Sequence, residues 1–306
     1  MLSHSYDHIG NVDFRLAKIP PASAPDAPAT RAVLRMEELD VPREIDSSGA
    51  SGSAIYAQLP GPDSLPIGEV PGHDGATFGY LEAASGIMND AGVAMAECTC
   101  SSIFGALPVD KGGKALLNYM ELTRIALERA GTAREAILTM GSLAEEFGFF
   151  GNDVELGGSA ENLAVSDCEE AWLFHILPDD TGASAIWAAQ RVPDGHATCC
   201  ANMFTIRSMD LEDPENFLYS ASALEVATRL ELWAPGTPFD FARKQSPSPI
   251  IPCSATPAVM PSGRAHLLTR SRNLAHAYHQ ASTPTASLRS TPVVESGARF
   301  RCSHRP

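Results

Sequence analysis

The sequence predicts an α+β protein in which a pair of helices lies between two groups of antiparallel strands. Two adjacent helical patterns occupy residues 112–147. A hairpin pattern precedes them at residues 85–102, and short apolar segments follow them between turn signals at regular spacing. Turn signals at such spacing are typical of an antiparallel meander.

The first part of the chain predicts strands joined by long loops and ending in a hairpin. Residues 8–75 are rich in Pro, Ala, Ser and Gly, with apolar pieces at residues 14–19 and 32–36. In the hairpin, NDAG at residues 89–92 has the composition of a tight turn. The strand after the turn ends in a Glu-Cys-Thr cluster at residues 97–99, which makes this hairpin a candidate carrier of a functional site.

The helical pair is predicted from periodicity and end signals. Residues 112–129 show apolar positions at helical spacing, and Gly131 is a natural end for that helix. Thr132 and Glu135 have the spacing of a capping box, which predicts a second helix over residues 133–147. A third helix is predicted over residues 224–233, before Pro235 and Gly236.

The meander is predicted from four short segments that share apolar composition and flanking turn residues. They are residues 162–166, 171–177, 185–192 and 197–204. Trp172 and Trp187 are expected to lie in the sheet core, and His175 on its apolar strand is expected to be an ordinary core histidine.

Composition excludes several classes of partner. The 306 residues carry a net charge of −15, which opposes binding to nucleic acid or to an anionic membrane surface. The sequence has no 18-residue apolar run and no recognisable signal peptide, and the compartment is left open. Its seven cysteines lie at irregular spacing without a zinc-type CxxC pair, so we expect free thiols and neither a metal nor a cofactor.

Residues 246–306 differ in composition from the rest of the chain. They contain seven Arg, no Lys and one acidic residue, Glu295. A basic arm that binds an acidic partner is one interpretation, and a disordered or wrongly translated end is the other. The absence of Lys favours the second, so we place the folded domain at residues 1–245 and a low-complexity tail at residues 246–306.

Six short segments in the same order resemble peptidase family C69, the dipeptidase A and secernin group. They are MNDAGVAM at 88–95, TAREA at 132–136, EAWLF at 170–174, WAAQRVPD at 187–194, ANMFTI at 201–206 and DPENF at 213–217. FDF at 239–241 is similar to the last shared element. The resemblance extends over about residues 1–243.

The resemblance implies the fold of an N-terminal-nucleophile hydrolase, a four-layer αββα sandwich that here lacks its first strands. It implies hydrolysis of the amide bond of a dipeptide by an N-terminal cysteine whose own α-amine is the general base. An α-amine titrates near neutrality beside the thiol that it activates, so this chemistry is physically sound. The implied partner is a small peptide. Whether the protein forms a homo-oligomer is left open.

One departure from the family pattern concerns the nucleophile. In relatives it lies upstream of the segment that LSHSYD at residues 2–7 resembles, whereas here no cysteine occurs before Cys98, which is internal and has no free α-amine. We therefore expect a chain truncated at its N-terminus, with a catalytically inactive copy as the alternative.

The resemblance also implies roles for five residues of this sequence. Asp7 matches a carboxylate that orients the amine of the nucleophile, and Asn202 matches an amide that stabilises the oxyanion. Glu97 and Thr99 fall where relatives carry groups that face the substrate. Arg191 is a candidate clamp for the substrate carboxylate, although an exposed strand arginine is the common alternative.

Two other functions stay open from the sequence. The first is a non-enzymatic, secernin-like protein that binds a peptide or a protein through the former cleft. The second is a related acylase that acts on other amides, such as bile-salt or penicillin-type substrates.

Overall fold

The computed structural model describes residues 1–4, 17–23, 29–34, 66–83, 85–151, 159–199, 202–245 and 260–261. The chain divides into two compact units, Met1–Met260 and Pro261–Pro306. The predicted tail at 246–306 lies outside the described residues except for a short strand at Met260–Pro261.

The described residues form fourteen strands and four α-helices. The strands are β1 Ala17–Ile19, β2 Thr30–Leu34, β3 Pro66–Pro71, β4 Tyr80–Glu82, β5 Gly86–Asn89, β6 Ala94–Cys100, β7 Ala160–Ser166, β8 Ala171–Pro178, β9 Ala185–Arg191, β10 His196–Ala197, β11 Ser208–Met209, β12 Phe217–Tyr219, β13 Phe239–Asp240 and β14 Met260–Pro261. The helices are α1 Tyr119–Arg129, α2 Ala133–Phe147, α3 Ala221–Arg229 and α4 Phe241–Gln245, and a 3-10 turn lies at Val109–Lys111.

Eight of the strands form one antiparallel sheet in the order β1-β4-β5-β6-β7-β8-β9-β12. Alternation along β8 divides its side chains between two covered faces. Trp172, Phe174 and Ile176 belong to the core that contains α1 and α2, and we call this side the helix face. Leu173 and Leu177 belong to a second core with α3 and the segment after Asn202, and we call that side the second face. This single large sheet with separate helices agrees with the α+β prediction.

The hairpin and the second helix of the pair are confirmed. Strands β5 and β6 flank the predicted turn, and α2 has the predicted bounds. The capping oxygen Oγ1 of Thr132 accepts a hydrogen bond from the Glu135 amide at 3.2 Å. Oε2 of Glu135 accepts from the amide of Gly131 at 2.8 Å. Thr132 therefore bonds one of the amide groups that the start of the helix leaves unpaired, and Glu135 bonds the amide of the residue before the cap.

The prediction for the start of the first helix was wrong by seven residues. Helix α1 begins at Tyr119, where Oδ1 of Asn118 caps it by accepting from the Glu121 amide at 3.1 Å. The residues before Asn118 are extended, because Leu117 bridges to Phe149 and the Leu116 amide donates to the Phe147 carbonyl at 2.9 Å. Pairing with the chain beyond α2 thus replaces the helical bonds that the periodicity favours.

Three strands of the predicted meander are confirmed as β7, β8 and β9, and the fourth was wrong. Of the described residues in the predicted range 197–204, only Ala197 belongs to a strand, β10, and residues 202–204 have no strand structure. The third helix, α3, begins at Ala221 and ends at Arg229, four residues early, since the Leu232 and Trp233 amides both turn back to the Ala227 carbonyl.

The core and cysteine predictions have mixed outcomes. Trp172 and Trp187 are 1% and 4% exposed, as expected for core residues. Cys98, Cys100 and Cys199 are free thiols, whereas Cys168 is disulfide-bonded, which the expectation of free thiols did not include. Of the helices in the described ranges, none combines the length and the apolar character that crossing a membrane requires.

Candidate functional site

Two of the residues that the sequence singled out, Thr99 and Asn202, meet at the end of β6, and a third, Glu97, lies on the same strand. Nδ2 of Asn202 donates a hydrogen bond to the carbonyl oxygen of Thr99 at 2.8 Å, although the two residues are 103 positions apart. Glu97 lies two residues before Thr99 on the same strand. We call Glu97, Thr99 and Asn202 the β6 cluster.

The position of β6 in the sheet determines which way these side chains face. Val93 and Met95 belong to the helix-face core, so alternation places Glu97 and Thr99 on the same face. The segment that carries Asn202 covers the second face. Its Asn202 side chain contacts the main-chain carbonyl of Thr99. The structure therefore brings Asn202 to the main-chain carbonyl of Thr99, whereas the resemblance implied a substrate-facing role for Thr99.

The cluster lies in a strongly negative part of the sheet. Glu97 is 7% exposed, and Glu161, which pairs with Thr99 in the β6–β7 register, is fully buried. Burial raises the pKa of the Cys100 thiol well above its usual value, and the charges of Glu161 and Glu97 raise it further. Cys100 is therefore held as an inert thiol, because the thiolate is the nucleophilic form.

Two buried polar residues hold the segment that carries Asn202. Nδ2 of Asn162 donates to the Met203 carbonyl at 3.1 Å. Nε2 of His175 accepts from the Thr205 amide at 3.5 Å, and the His175 ring stacks on Phe204 with 4.9 Å between centroids.

Sequence reasoning missed this pair as part of a site. The pattern around His175 indicates only a core histidine, and the pattern around Asn162 indicates only the start of a strand. The contacts join residues that are far apart in the sequence. His175 and Thr205 are 30 positions apart, and Asn162 and Met203 are 41 positions apart. Only the register that sets Asn162 opposite His175 could have indicated them.

Arg191 does not join the β6 cluster. It ends β9, opposite Trp172, and its guanidinium contacts Glu170 at 3.3 Å and Asp194 at 3.1 Å. Asp7 lies outside the described residues. Within the described part of the chain, no group of three or more His, Cys, Asp or Glu side chains is arranged to hold a metal ion.

Comparison with known proteins gives one family and several named relatives. The model of peptidase family C69 matches residues 37–248. A protein of Streptococcus pyogenes serotype M3 named probable dipeptidase A is 27% identical over 216 residues, which cover 69% of this chain and 38% of that protein. A Bifidobacterium longum protein named dipeptidase is 36% identical over 89 residues, 29% of this chain and 14% of that protein.

A third relative is the probable dipeptidase of Latilactobacillus sakei, 25% identical over 119 residues, or 39% of this chain and 22% of that protein. The chain spans about two fifths of the length of the Streptococcus relatives that it matches.

Proposed function

The chain belongs to peptidase family C69, and on this premise we propose that it functions as a cysteine-type dipeptidase that hydrolyses the amide bond of a dipeptide. The names of the relatives support a dipeptidase rather than another amide hydrolase. We further propose the four-layer αββα sandwich of N-terminal-nucleophile hydrolases as its complete architecture, to which the eight-stranded sheet would contribute one sheet.

The bond between Asn202 and Thr99 is the observation that carries this proposal. The Asn side-chain amide has two N–H donors. One is directed at the Thr99 carbonyl at 2.8 Å, which orients the amide plane and leaves the other donor for a developing oxyanion. Amide attack by a thiolate generates such an oxyanion, and a donor oriented in advance stabilises it without reorganisation.

Glu97 is the residue we propose to bind the α-ammonium group of the dipeptide. It is a buried carboxylate two residues before Thr99, a separation of about 7 Å along a strand. Alternation along β6 places the Glu97 side chain on the helix face, whereas the Asn202 segment covers the second face, so this role of Glu97 rests on the family resemblance and not on its distance from Asn202. The Arg191 guanidinium forms ion pairs with Glu170 and Asp194. Its position therefore does not support the role of a clamp for the substrate carboxylate.

We place the nucleophile in an N-terminal cysteine upstream of the LSHSYD segment, with Asp7 orienting its amine. The first cysteine of this sequence, Cys98, lies inside β6, where its amide belongs to the main chain and cannot act as a free amine. The buried Cys100 thiol is unsuitable because its pKa is raised by burial.

The proposal is tested with the native protein from its source cells. N-terminal sequencing and intact mass should show a mature chain that begins with Cys, and the protein should hydrolyse a panel of unblocked dipeptides. Acetylated dipeptides are the matched control, because they lack the ammonium group that Glu97 would bind, and they should be poor substrates.

Two outcomes would contradict the proposal. A native chain that starts at Met1 and hydrolyses none of the dipeptides would favour the binding protein. Hydrolysis of penicillin-type or bile-salt amides in place of dipeptides would favour the acylase.

A further inference from the structure

Two polar residues lie side by side on the apolar second face of the sheet. Asn162 on β7 and His175 on β8 are both fully buried, and they are direct partners in the strand register. Side chains of directly opposite residues have Cβ atoms about 5 Å apart, so the two form one polar pair. The residues around them on this face are apolar: Ala160, Leu173, Leu177, Ile186 and Ala188.

Both side chains bond to main-chain atoms of the segment that follows Asn202. Asn162 binds the carbonyl of Met203 at 3.1 Å, one residue after Asn202. His175 accepts from the amide of Thr205 at 3.5 Å and lies 3.4 Å from its hydroxyl oxygen. Two fixed points on either side of Phe204 therefore define the path of a segment that has no strand or helix bonds of its own.

His175 is suited to remain an acceptor. Burial lowers its pKa to about 3, so the ring is neutral near pH 7 and Nε2 keeps its lone pair. The bond from Thr205 assigns the ring proton to Nδ1.

Stability alone does not account for the polar pair. Among the residues that the structure describes, neither Oδ1 of Asn162 nor Nδ1 of His175 has a hydrogen-bond partner. A buried polar atom without a partner lowers stability relative to an apolar side chain of similar shape. A role in placing the neighbouring segment explains why polar groups occupy these two positions.

We propose that Asn162 and His175 are positioning residues that fix the backbone of the 203–205 segment and so hold the Asn202 amide at the Thr99 carbonyl. This inference rests on the proposed role of Asn202 in catalysis. Neither residue is required to touch the substrate. Both act through Asn202, whose donor must be held within a fraction of an ångström of the oxyanion to be effective.

The test uses near-isosteric replacements that remove one hydrogen bond each. His175→Phe keeps a ring against Phe204 and removes the acceptor, and Asn162→Leu removes the donor. His175→Gln restores an acceptor. Leu173→Val is the matched control, since it alters a buried residue of the same strand and face that makes no side-chain hydrogen bond.

We expect a fall in kcat without a matching change in KM. In the native enzyme, His175→Phe and Asn162→Leu should each lower kcat for a dipeptide about tenfold or more, with KM within about twofold. His175→Gln should recover part of kcat, and Leu173→Val should retain it. A general loss of packing would instead affect Leu173→Val as well and would not be rescued by Gln.

Amide hydrogen exchange, read by mass spectrometry over residues 203–206, tests the positioning without catalysis. His175→Phe should accelerate exchange in this segment about tenfold, and Leu173→Val should not. If the wild-type protein hydrolyses no dipeptide, the proposed function fails, and faster exchange still supports the positioning of the segment. Unchanged exchange, or faster exchange with unchanged kcat in an active enzyme, would overturn the inference.

Discussion

Asn202 illustrates how one side chain can be both held and available. Its amide donates to the Thr99 carbonyl at 2.8 Å, and the residue itself is exposed at the end of β6. The carbonyl acts as a fixed acceptor because β6 is paired with β7 over its full length. An exposed amide with one donor engaged in this way is ordered in the free protein and need not be reoriented by substrate.

Replacing Asn202 should reduce turnover and leave substrate binding nearly intact. Asn202→Ala should lower kcat by a factor of about 10² to 10³, since it removes one donor to the oxyanion, with KM little changed. Steady-state kinetics on a dipeptide would measure both constants. Asn216→Ala is the control, because Nδ2 of Asn216 donates to Asp213 at 2.8 Å and not to the β6 cluster. Equal losses in the two variants would contradict an oxyanion role.

His175 makes the stability of the fold depend on pH. Its pKa is about 3 in the folded protein because of burial, whereas an unfolded histidine titrates near 6.5. Between these values the unfolded chain binds one more proton than the folded chain. The stability contributed by neutral His175 is therefore full above about pH 6.5 and is lost as the pH falls toward 3.

The His175→Phe variant isolates this contribution from that of the acidic residues. The free energy of unfolding of the wild type, minus that of the variant, should fall by about 2 kcal/mol between pH 7 and pH 5. Urea titrations at the two pH values would measure it. A difference that does not change with pH would show that His175 is not buried as a neutral ring.

Among the elements, α1 is attached to two strands that precede it in the sequence by ion pairs as well as by apolar packing. Nε of Arg124 lies 2.7 Å from Oε2 of Glu82 on β4, and both side chains are at most 1% exposed. Arg31 on β2 pairs with Glu128 at 2.8 Å, near the end of the same helix. Arg124 and Glu82 are so deeply buried that each depends on the other, because the loss of one leaves the other uncompensated.

Removing Arg124 should therefore destabilise the protein strongly. Arg124→Met should lower the free energy of unfolding by about 3–5 kcal/mol, because Glu82 is left buried without its cation. Arg229→Met is the matched control, since Arg229 pairs with Asp180 at the same 2.7 Å but is 55% exposed, and its loss should hardly change stability. Denaturant unfolding of the two variants would decide, and similar losses would contradict the argument.

In the molecule as a whole, the helix layer and the sheet approach each other closely at Gly141. Gly141 in the middle of α2 lies against the indole of Trp187 on β9, and a Cβ atom at this position would overlap the ring. The indole cannot easily withdraw, because its Nε1 donates to Glu145 at 2.6 Å and Phe174 packs beside it at 5.7 Å. The missing side chain of Gly141 permits the close approach of the two layers at this point.

A single methyl group added at this contact should measurably lower the stability of the protein. Gly141→Ala should lower the free energy of unfolding by about 1–3 kcal/mol, despite the better helix propensity of alanine. Ser142→Ala, on the exposed side of the same helix, should be neutral or slightly stabilising. Thermal unfolding would compare the two, and a stabilised Gly141→Ala variant would show that the layers separate easily.

Local patterns in the sequence were sufficient for elements whose signals lie within a few residues. The capping box at Thr132 and Glu135 predicted the bounds of α2, and alternation with turn residues predicted β7, β8 and β9. The six ordered segments indicated family C69, and the family comparison confirmed it. The helix bounds follow from hydrogen bonds between neighbouring residues, and the turns and alternating pattern mark the strands although their hydrogen bonds come from other strands.

Tertiary structure decided the features in which distant residues compete with local preference. Helix α1 begins at Tyr119 because Leu117 pairs with Phe149, and residues 202–204, predicted as the end of a strand, instead follow a path held by Asn162 and His175. The same pairings bring Asn202 to the carbonyl of Thr99. The sequence determined which residue types were present and which local elements formed. The sheet register, which requires the whole fold, determined which of those residues meet.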